Sequence, residues 1–259
     1  MGQASSLSLS TVSPKPNDRQ DACPTFCNNM PNHVTLKKQA ALYDFGPMAV
    51  NYDDWYKTPQ GQQMDRLQKI DLLTLLPCPR PGDRLLDAGC GTGHWSRFFA
   101  RYGYSVTGID ISPEMIHTAR QRCRHGCSFE VADVTALPFE SEYFDVVASI
   151  ATVSFLSDVP AALSEMFRCL KTGGTMIIGA LNRLSPVNRQ RLAAGKQPYA
   201  SGRLPAPREL RDLLKPYGNV CLLAGNTSTE GDKRYSCSGH LAWCRQHLTG
   251  PLIIARIRK

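Results

Sequence analysis

Residues 84–93 read Arg-Leu-Leu-Asp-Ala-Gly-Cys-Gly-Thr-Gly, a short apolar run that passes directly into alternating glycines. The apolar run predicts a buried β-strand at 84–88, and the pattern after Gly93 predicts a helix at 94–102. Glycine lets the backbone turn tightly and approach a ligand closely. Ligands of open α/β sheets bind at the carboxyl ends of the strands. We therefore expect a ligand to lie against Gly89, Gly91 and Gly93.

Strand and helix signals alternate along the rest of the chain. Further strands are predicted at 105–110, 127–132, 143–149, 174–180, 219–224 and 251–257, and further helices at 62–76, 113–123, 160–170 and 207–215. This order is typical of parallel strands joined by right-handed crossovers. It predicts an α/β fold, a Rossmann-like seven-stranded, mostly parallel sheet with helices on both faces.

Glycine and proline mark the expected connections. Gly173 and Gly174 are interpreted as a helix C-cap and turn before the fifth strand. Residues 182–206 contain three prolines and are predicted to be a loop, and residues 225–250 form a long polar insertion.

Composition excludes several classes of protein. Hydrophobic residues make up 42% of the chain and charged residues 20%, which excludes a mostly disordered chain and a coiled coil. No apolar run approaches the ~20 residues of a membrane span. The net charge of +8 is spread along the chain, so no stable nucleic-acid partner is expected. The Ser- and Pro-rich start lacks a secretory pattern, which predicts a cytoplasmic protein with reduced thiols.

Three aspartates lie near the carboxyl ends of the first three predicted strands. Asp87 stands two residues before the first glycine, which disfavours a pyrophosphate and favours a cationic ligand. Asp110, 21 residues after Gly89, can accept both hydroxyls of a ribose, a feature that NAD sites share. Asp133 can accept from the exocyclic amine of adenine. Together they predict an acidic rim suited to a cationic nucleoside.

Four segments resemble the class I S-adenosylmethionine (SAM)-dependent methyltransferases, in particular the type 11 branch that includes the ubiquinone and menaquinone C-methylases. They are LLDAGCGTG (85–93), VTGIDISPEMI (106–116), VADVTALPFESEYFDVV (131–147) and EMFRCLKTGG (165–174). The resemblance covers about residues 40–258. It implies SAM as cofactor and S-adenosylhomocysteine as product, and it leaves the methyl acceptor open.

The resemblance also implies a role for each matching residue. The methionine part would lie against Asp87, Gly89, Cys90, Gly91 and Gly93; the ribose at Asp110; the adenine against Ile111, Met115, Asp133 and Val134; and the methyl-transfer site beside Ser149 and Ile150. The aromatic segment 51–56, here called the lid segment, resembles a family lid over the cofactor. Tyr52 in that segment is therefore a further cofactor-binding candidate.

The resemblance and the loop pattern together give a domain plan. Residues 1–35 are expected to be a flexible leader and residues 36–259 a methyltransferase domain. Within that domain, the expected parts are a lid and helix (36–80), a cofactor-binding core (84–181), acceptor-site loops (182–250) and a last strand (251–259).

A catalytic base is needed only where the acceptor carries a proton. The candidates are His94, Tyr52 and His240, with His117 a weaker one. No metal site is predicted, because the spacings around Cys123 and Cys127 and around Cys237, His240 and Cys244 are looser than zinc sites require. Asn182 and Arg183 follow the fifth strand, with Arg189 and Arg191 nearby. This basic loop is a candidate contact to a carboxylate or carbonyl of the acceptor.

The leading hypothesis is methyl transfer to a small-molecule acceptor, on O, C, N or S, with the oligomeric state open. The alternatives are an RNA or protein methyltransferase, a thiol or metalloid methyltransferase that uses its cysteines, and a non-catalytic binding protein. The sequence 149–152 (Ser-Ile-Ala-Thr) lacks the Asn/Asp-Pro-Pro-aromatic motif of amino-methylating DNA enzymes, which argues against that class.

Overall fold

The computed structural model describes residues 41–123, 125–225, 235–236 and 248–259. The predicted leader lies outside these residues. The sheet has eight strands, one more than expected. They are β1 (Arg84–Ala88), β2 (Ser105–Asp110), β3 (Cys127–Val131), β4 (Phe144–Ile150), β5 (Leu170–Leu181), β6 (Cys221–Leu223), β7 (Tyr235–Ser236) and β8 (Leu252–Arg258).

The strand order is β3-β2-β1-β4-β5-β8-β6-β7. Strands β1 to β5 pair in parallel, whereas β8 is antiparallel to both β5 and β6. The additional strand β7 pairs antiparallel with β6 at one edge. The predicted Rossmann-like, mostly parallel sheet is thereby confirmed.

Six α-helices occur among the described residues. They are α1 (Pro59–Leu75), α2 (His94–Tyr102), α3 (Pro113–Arg122), α4 (Val159–Cys169), α5 (Pro186–Ala193) and α6 (Pro207–Leu214). Proline at the first helical position and a capping hydroxyl or carboxylate explain several starts: Thr58, Ser112 and Asp158 each accept from a first-turn amide of the helix that follows. None of these helices is long and apolar enough to cross a membrane.

Two local predictions were wrong. Residues 182–206 contain α5 and a 3-10 turn at Tyr199–Ser201, because Pro186 begins a helix instead of interrupting one. Gly173 and Gly174 lie inside β5, which begins immediately after α4. The β4–β5 register shifts there, from Phe144 opposite Leu170 to Val146 opposite Thr175, so the two glycines form an irregularity in a strand.

The sheet buries a separate apolar cluster on each face. Leu86, Val147 and Ile178 belong to one cluster, and their neighbours Leu85, Val146 and Ile177 belong to the other. Successive residues of a strand point to opposite faces, so central strands covered on both sides are apolar throughout. The sheet is therefore a rigid base, and its carboxyl edge is where polar side chains collect.

Asn182 is a structural residue, fully buried at the end of β5. Its amide nitrogen donates to the carbonyls of Leu248 (3.0 Å) and Gly250 (2.8 Å). Its oxygen accepts from the amide of Leu184. These bonds join the segment after β5 to the segment before β8, so the side chain is committed to backbone contacts.

Asn182→Asp should lower the free energy of unfolding by about 3 kcal/mol, because a carboxylate oxygen would replace the donor that faces two buried carbonyls. Chemical denaturation measures the change. Asn219→Asp, at an exposed position, is the matched control and should change stability little. Equal stability of the two variants would contradict this account of Asn182.

Candidate active site

The glycine loop that follows β1 is held by backbone hydrogen bonds to the end of β2. The amides of Gly89 and Cys90 both donate to the carbonyl of Ile109, each at 2.8 Å. The amide of Gly91 donates to Oδ2 of Asp110 at 2.9 Å. The loop is thus fixed against the neighbouring strand before any ligand is considered.

The glycines differ in what surrounds them. A Cβ at Gly89 would come within 2.2 Å of Thr152 Cγ2, so this position packs tightly against the exit of β4. A Cβ at Gly91 (φ +54°) would meet only Met115 Sδ, at 3.9 Å. Open space therefore lies above Gly91, bounded by Met115, and it is a place where a ligand can approach the backbone.

Asp87 lies almost completely buried beneath this loop. Its Oδ2 accepts a hydrogen bond from Ser96 Oγ at 2.6 Å, and its Oδ1 has no hydrogen-bond partner among the described residues. Burial raises the pKa of Asp87 to about 7, and the nearby Asp110 adds to the effect while the Ser96 hydrogen bond opposes it. A cation close to Oδ1 would relieve this cost.

The two other aspartates of the predicted rim come from the neighbouring strands. Asp110 ends β2, and its Oδ1 accepts from the amide of Ser112 at 3.0 Å. Burial raises the pKa of Asp110 above its usual value, and the backbone hydrogen bonds to its carboxylate offset only part of this effect. Asp133 Oδ1 accepts from the amide and the hydroxyl of Thr135, each at 2.8 Å. The sheet thus brings three aspartates to one edge, as the sequence predicts.

The adenine-site candidates lie near the same carboxyl edge of the sheet as the three aspartates. Met115, in the first turn of α3, and Val134, after β3, are buried, and Ile111 is partly buried beside Asp110. The methyl-transfer candidates are more deeply placed: Ser149 is fully buried and donates to the carbonyl of Ala88 at 2.9 Å. Ile150 is also buried. The hydroxyl of Ser149 is therefore occupied by a hydrogen bond that connects β4 to β1.

The lid segment forms a 3-10 helix, Tyr52–Lys57, near this edge. Burial raises the pKa of Tyr52, and the nearby Tyr199, Asp53 and Asp110 raise it further. Tyr52 is therefore a neutral phenol close to the carboxylate that ends β2. Its assignment to the ligand site stays a prediction.

Two of the histidine candidates have side-chain partners among the described residues. His94 stacks on Tyr56, with ring centroids 3.9 Å apart, and its Nε2 lies 2.7 Å from Asp65 Oδ1. His117 is exposed and hydrogen bonds to Gln121. His240 lies outside the described residues. Any catalytic role of His94 and His240 stays a prediction.

The fold brings Thr152 to the glycine loop, a contact that the sequence did not predict. It also places Arg191, from the basic loop expected to contact the acceptor, beside two aromatic rings. Thr152 Oγ1 donates to the carbonyl of Gly89 at 3.0 Å, and Ala151 before it has φ +65°, which is uncommon outside glycine. The Arg191 guanidinium lies 4.6 Å from the ring centroid of Tyr199 and 5.9 Å from that of Trp55. Thr152 and Gly89 are 63 residues apart in sequence, so no local pattern marks their contact.

Cys127 and Cys90 are poorly suited to the thiol or metalloid alternative. Cys127 begins β3 and interacts with Cys123, and burial raises the pKa of Cys127. Burial also raises the pKa of Cys90, which packs in the glycine loop. These thiols are therefore neutral and poorly nucleophilic. Cys237 and Cys244 lie outside the described residues.

Comparison with known proteins identifies the family. A family model described as a methyltransferase domain matches residues 86–178. The malonyl-[acyl-carrier protein] O-methyltransferase of Erwinia pyrifoliae is 34% identical over 198 residues, 75% of this chain and 71% of that protein. The chain belongs to the class I SAM-dependent methyltransferases. The family and the type 11 branch expected from the four motifs are thereby confirmed, and with them SAM as the cofactor.

Other similarities of this methyltransferase are shorter or concern the fold alone. It spans 54% of the length of the malonyl-[acyl-carrier protein] O-methyltransferase of Serratia marcescens, with 34% identity over 147 residues. A crystal structure from Thermotoga maritima, described as a SAM-dependent methyltransferase and possible histamine N-methyltransferase, superimposes with a TM-score of 0.61 at 24% identity. The match covers 83% of this chain and 98% of that one.

The residues present fit SAM on two structural grounds. The unpartnered, buried Oδ1 of Asp87 is suited to a cationic group, and the space above Gly91 lets a ligand contact the backbone. SAM carries both an ammonium and a sulfonium. The acidic rim therefore matches the charge of the methyltransferase cofactor.

Gly91→Ala should weaken SAM binding by about tenfold or more, since its methyl group enters the space above the loop. Gly82→Ala is the matched control, because Gly82 also has a left-handed backbone (φ +87°) and nothing lies within 4 Å of its Cβ position. Both variants carry a backbone strain of ~1–2 kcal/mol. Isothermal titration calorimetry that gave both variants the same affinity would contradict the placement of SAM at Gly91.

SAM affinity should rise with pH. In the free protein Asp87 has a pKa of about 7, so below that pH it is largely protonated. A bound cation favours the carboxylate, so binding releases a proton, and Asp110 acts in the same direction. We expect affinity to increase about tenfold from about pH 6 to about pH 8. Calorimetry in buffers of different ionisation enthalpy measures the released proton. A pH-independent affinity would show that Asp87 is not near the cation.

Proposed function

We propose that this chain transfers the methyl group of SAM to a carboxylate oxygen of an acyl acceptor. Its membership of the SAM-dependent methyltransferases supports the reaction class, and relatives named malonyl-[acyl-carrier protein] O-methyltransferase support the acceptor class. The observation that carries the acceptor assignment is the Arg191 guanidinium between two aromatic rings, close to the lid segment.

The residues assigned from the sequence hold SAM in this proposal. Asp87 balances the positive charge of the methionine part, and the Gly89–Gly93 loop lies against it. Asp110 accepts from the ribose hydroxyls. Ile111, Met115, Asp133 and Val134 surround the adenine. Tyr52 stays protonated because burial raises its pKa, so its hydroxyl can donate a hydrogen bond from the lid segment to the cofactor.

Arg191 is the group suited to an anionic acceptor. Its guanidinium lies over the Tyr199 ring, and among the described residues its one polar contact is a long hydrogen bond (3.3 Å) to Asn188 Oδ1. It forms no ion pair with any carboxylate in the described part of the chain. A guanidinium that stacks on an aromatic ring keeps its donors available for bidentate contact with a carboxylate. Trp55, the second ring near this guanidinium, belongs to the lid segment, so Arg191 lies beside that segment.

A carboxylate acceptor agrees with the placement of the described histidines. Bound SAM supplies an electrophilic methyl group. A carboxylate is already deprotonated at neutral pH, so no side chain has to remove a proton from it. The chain's contribution is to orient the acceptor and exclude water, and such positioning contributes ~7–11 kcal/mol to catalysis. The engaged His94 and the exposed His117 are consistent with a reaction without a histidine base.

The test uses purified full-length chain and SAM labelled on its methyl group. We expect label in a malonyl thioester, offered both as the coenzyme A ester and on an acyl carrier protein, and its loss on mild alkaline hydrolysis, as a methyl ester requires. Phosphoethanolamine is the second acceptor offered, because the relative named phosphoethanolamine N-methyltransferase 1 in Zea mays is 39% identical over 133 residues. Bulk RNA is the third. Label in either of those and not in the thioester would overturn the carboxylate assignment.

Arg191→Met should raise the KM for the carboxylate acceptor about tenfold or more, because it removes a charge-assisted contact. The affinity for SAM should change little. Arg189→Met, two residues away on α5 and exposed, is the matched control. Steady-state kinetics measure both variants. An unchanged KM for Arg191→Met would remove Arg191 from the acceptor site.

A further inference from the structure

The side chain of Asp53, in the lid segment, connects that segment to three other elements. Its Oδ1 accepts from Thr92 Oγ1 in the glycine loop at 2.6 Å. Its Oδ2 accepts from Arg122 of α3 at 2.7 Å and from Arg97 of α2 at 3.2 Å. The Asp53 side chain is only 13% exposed. One carboxylate therefore joins the loop and the helices that follow β1 and β2.

The two arginines strengthen this connection through further contacts. Arg97 also donates to the carbonyl of Thr92 at 2.9 Å, and Arg122 also donates to the carbonyl of Val50 at 3.1 Å. Each guanidinium thus contacts Asp53 and one adjoining backbone segment. Hydrogen bonds between ionised groups are stronger than neutral ones, particularly where water is largely excluded.

The neighbouring Asp54 provides the contrast. Its carboxylate is 55% exposed and pairs with Lys57, which is itself 75% exposed, within the same short helix. An exposed pair of this kind contributes little to stability. Of these two consecutive aspartates, Asp53 makes the contacts that leave the lid segment.

The contacts of Asp53 determine where the residues around it lie. Thr92 stands between Gly91 and Gly93, so its bond to Asp53 joins the lid segment to the part of the loop beside the open space. Tyr52, which is adjacent in sequence, lies close to Asp110, and Trp55 lies 5.9 Å from the Arg191 guanidinium. Movement of Asp53 would therefore displace groups on the cofactor side and on the acceptor side.

We propose that Asp53 is a positioning residue that holds the lid segment against the glycine loop and thereby sets the affinity for SAM. It acts through Thr92, Tyr52 and the two arginines, without itself touching the cofactor. The assignment rests on the proposed function only in that SAM is the ligand. It adds a residue that the family motifs quoted above do not include.

The test compares Asp53→Asn with Asp54→Asn in the full chain. Asparagine at position 53 keeps an oxygen for Thr92 but loses the charge that binds the arginines. We expect SAM affinity, measured by calorimetry, to fall about tenfold or more in Asp53→Asn and to be unchanged in Asp54→Asn. Limited proteolysis should show that SAM protects the lid segment in the wild type and less so in Asp53→Asn.

A second variant keeps the proposal testable if Asp53→Asn folds poorly. Arg122→Gln removes one partner from a half-exposed position and should also weaken SAM binding. In the double variant the two losses should not add, because both changes break the same interaction. Additive losses, or a lower melting temperature with wild-type affinity for SAM, would show that Asp53 is merely structural. Failure of the wild type to bind SAM would instead refute the proposed function.

Discussion

The carbonyl oxygen of Ile109 accepts two hydrogen bonds from the glycine loop, and Asp110 beside it accepts a third. These contacts join the end of β2 to the loop after β1, so that two adjacent parallel strands present their polar ends as one surface. The position of Asp87, the space above Gly91 and the place of Tyr52 all depend on this joint. Because it consists mainly of backbone groups, the loop is ordered by the fold itself, and a ligand meets a prepared surface.

This surface places the carboxyl groups of Asp87 and Asp110 close together where water is largely excluded. Burial raises the pKa of both Asp87 and Asp110, so the free protein holds these groups at a cost that a cation can remove. The same arrangement explains why the site suits a sulfonium cofactor better than a pyrophosphate. In the proposed acceptor site the charge has the opposite sign, since Arg191 would offer a positive charge to an anion. The two sides therefore favour different ligands through charge alone.

Sequence patterns were sufficient wherever a residue's role follows from its immediate neighbours. The loop and the three aspartates are marked by adjacent strand and glycine signals, and β1, β2 and α2 begin and end where predicted. The pattern failed at α5, because a proline is common both in loops and at the first position of a helix. It also failed at Gly173, because a glycine at a strand irregularity resembles the glycine that ends a helix. Asp53 was not identified as a site residue because its partners are distant in sequence: Asp53 and Arg122 are 69 residues apart. Such pairs become visible only once the fold has brought them together.

The antiparallel pairing of β6 with β8 has a consequence for how this chain can diversify. Leu223 lies opposite Ile254, so the connection between these two strands leaves and re-enters the sheet at adjacent points. The entropy of closing such a connection grows only slowly with its length, at about 0.6 kcal/mol for each doubling. Changes of length between β7 and Leu248 should therefore cost little stability, whereas the crossovers between parallel strands must span the sheet. That part of the β6–β8 connection can vary while the paired strands stay unchanged.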